Sequence, residues 1–295
     1  MVGHIFSLLI SSVLSYSSQD RDDARTALLD IVENIVQNGY LLIGTNNRST
    51  TWGKWSPEYV NKDRDFSDER GLQSLQILSF LSASLSVSSS SPDMFRKAFE
   101  ELTNETNQYD RNCVNLKIQT PDDLNFSDDE LSFLPLFILI FTIHHPTSLL
   151  SPDIVKSTLQ RTFEIVRMER SSLWTTIFLV AAKQLNFVVE DYSVLKKDIE
   201  WNLQTWPLEH INYPTHNIDR EDIFYGPGTN RFYLKHTDTL HSQSPIPANQ
   251  RNQFRWNANP FDISSTGDGM VQVDPGAYLL SYWMARYYNI LSNDD

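Results

Sequence analysis

Apolar residues return every three or four positions along most of this chain, the spacing of helices that each bury one face. From Arg21 to Gln37 the buried set is Ala24, Leu28, Ile31, Val32, Ile35 and Val36, and Asn38-Gly39 is a stop signal. Leu72, Leu75, Leu78, Leu81 and Leu85 repeat the pattern between Glu69 and Val87. Ser91-Pro92 and Ser151-Pro152-Asp153 are start signals, a capping residue followed by proline in the first turn. They precede the apolar sets Phe95, Ala98, Phe99, Leu102 and Val155, Leu159, Phe163, Val166. Asp128 to His145 is apolar almost all round, as a helix buried on most sides would be. Further helices are predicted over Leu173 to Leu185, Ser193 to Trp206 and Gly276 to Leu291. Strand signals are short and weak, at Tyr40 to Ile43 and Asn115 to Ile118.

Between Pro207 and Pro275 the periodicity disappears for about seventy residues, far beyond an ordinary connection. Aromatics such as Tyr213, Phe224, Phe232, Phe254 and Trp256 argue against disorder, so this stretch reads as a long ordered excursion before the last helix. The expectation is an all-α chain, one domain over residues 1–295, built of antiparallel helical hairpins. A bundle, an open solenoid and a closed α/α toroid all bury such faces. The lack of a fixed repeat period weighs against the solenoid, and the helix that is apolar all round suits the inner ring of a toroid.

The first twenty residues admit two readings. Ile5 to Leu14, followed by Ser15, Ser17 and Ser18, has the outline of a secretory signal, which would make the protein secreted with Met1 to Ser18 removed. No Lys or Arg precedes the apolar run, and Phe6, Leu9, Ile10 and Val13 lie at helical spacing, which favours a buried helix. The sequons at Asn47, Asn104 and Asn125 bear only on a secreted chain. No run reaches the length of a membrane span.

Charge narrows the partners. With 24 Lys+Arg against 37 Asp+Glu the chain carries a formal −13 and has no basic run, so nucleic acid is not an expected partner. Much of the excess sits at predicted helix starts, at Asp20 to Asp23, Asp68-Glu69 and Asp128 to Glu130, where negative charge steadies the helix end. An oligosaccharide or other small polar ligand remains the best match to an aromatic-rich, nearly neutral loop region, and the sequence leaves the oligomeric state open. Cys113 stands alone, so no internal disulfide and no cysteine zinc cluster is expected.

Trp52-Gly53-Lys54-Trp55-Ser56-Pro57-Glu58, followed by Glu69-Arg70-Gly71-Leu72, resembles a largely uncharacterised family of helical proteins with a six-hairpin-glycosidase-like body. Similar pieces follow in order: Asp128-Asp129-Glu130-Leu131 with Phe133-Leu134-Pro135, Leu173-Trp174, Arg255 to Phe261, and Tyr282 to Tyr287. The resemblance implies an α/α toroid and carbohydrate as the ligand class, and supplies no assigned activity. Val2-Gly3-His4 also resembles a Gly-His that opens an early helix in that family just after acidic residues. On that alignment the N-terminus is a truncated domain.

Glycoside cleavage needs two carboxyls, one protonated and one ionised. Asp128, Asp129 and Glu130 open the most apolar helix, and Glu69, Asp268 or Asp274 are candidates for the second carboxyl. Capping by Ser127 or Asp128, and by Asp68 or Glu69, explains the same acids structurally. Arg70 in a first helical turn opposes the helix dipole, so it is expected to hold a carboxylate, with Asp128 or Asp129 the pairing to examine. Trp52 and Trp55 on a predicted loop, with Trp256, Asn257 and Asn259, are candidate sugar-binding residues, by aromatic stacking and side-chain amides, and Arg70 is counted with them. Core plugging and an ordinary turn are the structural alternatives. Ser264 to Gly276 lacks the lysine of a phosphate loop, and Asp262, Asp268 and Asp274 lack the spacing of a calcium loop. No metal site and no cofactor is expected from the histidines, which sit apart or as the adjacent pair His144-His145. An enzyme and a non-catalytic binding or scaffold protein both fit these features.

Overall fold

The computed structural model describes residues 1–88, 92–114, 116, 126–209, 211, 217, 219–228, 237–251, 255, 256, 258–263 and 269–292. These are mostly helical, as the periodicity predicts, with a few short strands. The chain divides into two compact units, Met1–Lys117 with Leu131–Arg161, and Ile118–Glu130 with Thr162–Asp295. No helix among the described residues is long and apolar enough to cross a membrane.

The first unit opens with α1 (Val2–Leu14), which buries Val2, Ile5, Phe6 and Leu9 and leaves Val13 and Leu14 exposed. The turn into α2 (Ser18–Gln37) is set by Ser17, whose hydroxyl accepts from the Asp20 amide at 3.3 Å. The stop signal works as expected: Gly39 and Tyr40 both take left-handed backbone, and the Tyr40 amide donates to Ile35 O at 2.8 Å. A side chain at Tyr40 pays a steric penalty there, offset by burial of its ring and by its hydroxyl, which donates to Glu101 Oε2 at 2.6 Å.

The chain then forms β1 (Leu41–Ile43) antiparallel to β2 (Ser49–Lys54), so Trp52, expected on a loop, lies in a strand. Gly53 lets the two strands meet closely, since a Cβ there would fall 2.6 Å from Leu42 Cβ. A π-helical turn (Glu58–Lys62) leads to α3 (Arg70–Val87), the centre of the unit. Leucine spacing predicts one buried face, but α3 is buried nearly all round, including Ser79, Ser82 and Ser84. Those hydroxyls donate to carbonyls three or four residues back, at 2.7–3.0 Å, so they are satisfied without water. Small self-satisfied serines thus behave as core residues, which apolar counting does not register. Helices α4 (Pro92–Thr103) and α5 (Tyr109–Val114) pack on α3, and α5 is short enough to have escaped prediction. The chain crosses between the units within α6 (Phe126–Thr142) and α7 (Pro152–Val166).

The second unit is organised on α8 (Ser172–Gln184), which packs against α9 (Tyr192–Gln204) and α10 (Gly276–Tyr287). Phe178 stacks on Phe163 at 4.0 Å between ring centroids and meets Phe187 edge-on at 5.5 Å. Where it is described, the long excursion is ordered, and it holds strands that periodicity does not predict. β3 (Ile223–Gly228) pairs antiparallel with β4 (Thr237–Ser242), from Ile223 opposite Ser242 to Gly228 opposite Thr237. Its proline and glycines hide the strand signal, and backbone pairing makes the ladder nonetheless. Ile246, Ala248, Ile263 and Val273 are buried and anchor the segment, with Trp206 against Ala248 and Val273. Of the expected strand Asn115 to Ile118 only Leu116 is described, and the helix start at Ser91 and the sequon at Asn125 lie outside the described residues.

Candidate functional site

The first turn of α6 begins at Phe126, earlier than the acids that were expected to cap it, and so carries Asp128 and Asp129 inside the helix. Asp128 and Glu130 are half-buried, whereas Asp129, the middle acid, is only 3% exposed. Its partner comes from the far end of α7. There a single 3-10 turn, Arg167–Glu169, ends at Arg170, whose backbone is left-handed at φ 51°, and Ser171 restarts the chain as the cap of α8. This abrupt reversal turns Glu169 inward until it is 4% exposed. Arg170 fixes the reversal from outside: its Nε donates to Asp198 Oδ1 at 2.6 Å, and its guanidinium lies over the Trp201 ring at 4.1 Å.

Asp129 and Glu169 share a hydrogen bond, and burial is the largest influence on both carboxyls. It raises Asp129 well above the ordinary aspartate range, and the neighbouring charges of Glu169 and Asp128 raise it further. Glu169 is pushed up to about 8 by burial, against the opposing pull of Arg251 and of hydrogen bonds from Trp174 and Asp129. Arg251 is itself buried and lowered to about 10, and its Nε donates to Ile246 O at 2.6 Å. With one proton between them, the two carboxyls and the guanidinium carry no net charge, the state in which such a set is least costly in a dry interior. Glu169 Oε1, Arg251 Nη2 and Trp256 Nε1 have no hydrogen-bond partner among the described residues.

Tryptophans wall the group. Trp174 is buried, and its ring meets half-buried Trp256 edge-on at 5.2 Å and 75°. Glu169, Arg251, Trp256, Trp206, Asn202 and Ser171 line a crevice of about 230 Å³, open solvent included, too narrow to admit a water molecule. Among the described residues no cluster of three His, Cys, Asp or Glu side chains is arranged to hold a metal ion.

The other predicted residues have surroundings of their own. Trp55 is 2% exposed, packs edge-on against Phe80 at 5.4 Å, and donates from Nε1 to Gln76 Oε1 at 3.0 Å, so its ring is a core plug. Trp52 is 60% exposed on β2. Glu69 occupies the cap position of α3 without a capping bond from its side chain. Arg70, expected to hold a carboxylate, instead donates to Val60 O at 2.9 Å and Asn61 O at 3.3 Å. The carbonyls ending a short helical turn lack intrahelical donors, and Arg70 supplies them. Asn259 Oδ1 accepts from the Phe261 amide at 2.9 Å, an ordinary turn, and Asp274 Oδ1 accepts from the Gly276 amide at 2.5 Å where α10 starts. Arg255 is exposed, and Asn257 and Asp268 lie outside the described residues.

Glu169 and Arg251 escape sequence reasoning. Glu169 sits in Arg167-Met168-Glu169-Arg170, which reads as a charged, solvated helix end, and Arg251 lies in the aperiodic excursion. The one available signal is the apolar helix on each side of Glu169, which forces the link between them to turn tightly. No protein family, curated protein or solved structure matches this chain.

Proposed function

We propose that this chain is a carbohydrate-active protein, glycosidase-like or uronate-processing, on an α/α-toroid-like helical body, with Asp129 and Glu169 as its acid–base pair. The observation that carries the reading is the buried hydrogen bond between Asp129 and Glu169 beside Arg251, where burial raises both carboxyls above their ordinary range. Asp129, next to Asp128 and Glu169, is the acid, and Glu169, facing Arg251, is the base. Tryptophan walls and the Asn202 amide suit a sugar's apolar face and hydroxyls. Two carboxyls in hydrogen-bond contact stand closer than the roughly 5–9.5 Å that spans a scissile glycosidic bond. Turnover therefore requires the crevice to widen and the pair to separate around the substrate.

The same closeness favours a second reading, a non-catalytic carbohydrate-binding or scaffold protein in which the pair is structural. Incubation with neutral and uronate-containing oligosaccharides, read by product analysis and by thermal stabilisation, separates the two. Turnover abolished in Asp129→Asn and Glu169→Gln, with ligand stabilisation retained, is the outcome expected of the enzyme. Stabilisation without turnover selects the binding protein, and the absence of both across the panel sinks the carbohydrate assignment.

A further inference from the structure

A second cavity lies in the same unit, between the C-terminal half of α9 and α10. It measures about 510 Å³, open solvent included, and unlike the crevice at the acid pair it has room for water. Tyr278 and Tyr282, one turn apart on α10, stand with their rings nearly parallel, 5.9 Å between centroids and 7° between planes. Both line the cavity, together with Glu200, Leu203 and Gln204 of α9 and Arg286 of α10.

The lining carries one acidic and one basic side chain, Glu200 and Arg286, so it presents no excess charge of either sign. Glu200 Oε1 lies 3.6 Å from Lys196 Nζ one turn away, and Arg286 Nη1 donates to the Ser292 carbonyl. A lining without excess charge gives a charged ligand no net attraction, whereas a neutral one can use its donors and acceptors. Gln204, exposed at the end of α9, offers both a donor and an acceptor. Flat aromatic faces beside an amide, a carboxylate and a guanidinium match a ring with one apolar face and a rim of hydroxyls.

We infer that the cavity between α9 and α10 is a binding subsite for a neutral pyranose unit, stacked on Tyr282 and hydrogen-bonded by Gln204 and Arg286. The inference takes its ligand class from the carbohydrate reading, but not its dependence on the acid pair. The subsite also touches the crevice physically. Trp206 lines the crevice and packs on Tyr278 at 6.0 Å between ring centroids, so Tyr278 has the subsite on one side and the crevice wall on the other.

Saturation-transfer NMR and titration of the full chain with malto-, cello-, xylo- and chitohexaose, and with galacturonate and glucuronate oligomers, tests it. The expected result is binding of at least one neutral oligomer in preference to the uronates. Gln204→Ala and Tyr282→Ala should each weaken it about tenfold, the equivalent of one good contact, while Asp129→Asn leaves it within twofold. Gln204 is exposed, so Gln204→Ala keeps the test valid where Tyr282→Ala disturbs packing. Binding that survives both pocket substitutions and falls in Asp129→Asn overturns the subsite and leaves the acid-pair reading standing. Binding lost in both pocket variants, with no turnover of any oligomer, keeps the subsite and overturns the catalytic reading. No binding of any neutral oligomer overturns the subsite outright.

Discussion

The two units bury tryptophan in opposite ways. Around Trp55 in the first unit, polar groups are consumed in pairs: its indole goes to Gln76, its carbonyl accepts from the Tyr109 hydroxyl at 2.7 Å, and the serines of α3 bond back to their own helix. Around Trp174 in the second unit, two hydrogen-bonded acids, both raised by burial, sit beside a guanidinium, and Glu169 Oε1 and Arg251 Nη2 are left over. Neutral, locally satisfied polar groups cost little to bury, while carboxyls are costly and are tolerated only by holding a proton. A core that needs only stability has no use for the second arrangement, which is why chemistry is sought there.

The contrast makes graded predictions. Trp55→Ala should have the largest effect, a loss of about 3–5 kcal/mol in urea unfolding that is equal at pH 5 and pH 8. Arg251→Met comes next, with a loss of about 3 kcal/mol at pH 8, because Glu169 is left without its countercharge. That loss should shrink at pH 5, where the carboxyls take up protons. A loss of the same size at both pH values would show that Arg251 acts by packing alone.

The wild-type protein itself should feel the acid pair. A carboxyl whose value is raised on folding binds its proton more tightly in the native state, so its contribution is fully favourable below the unfolded value. That contribution is lost as pH rises through the folded one. For Glu169 the window runs from about 4.5 to about 8. The melting temperature should fall across that range, and Glu169→Gln should flatten the fall; an unchanged slope in Glu169→Gln would remove the pair from the explanation. Smallest of all, Trp52→Ala should lie within about 0.5 kcal/mol of wild type, since the ring is mostly in solvent. A larger loss would show that Trp52 is covered in solution.

Most helices were legible because periodic apolar faces declare themselves. Even the bounds agree closely, as where the expected Leu173 to Leu185 meets the observed Ser172–Gln184. What was illegible had specific causes. The serines of α3 look solvent-facing until their hydroxyls are seen to bond inward, and the hairpin of β3 and β4 is carried by backbone pairing through a glycine-proline run. Within the candidate site the acid cluster at Asp128 to Glu130 was visible, but α6 is apolar all round, so helical phase could not select Asp129. Glu169 and Arg251 join it from positions far apart in sequence, and only tertiary placement brings the three together.

The narrowness of the crevice has a consequence in time as well as in space. Glu169 borders the crevice, so a proton it holds there cannot trade with bulk solvent until the wall opens, and its lifetime measures how often Trp256 and its neighbours move aside. The acid pair is in that sense its own clock: a slowly exchanging downfield proton resonance would time the opening that any substrate must await.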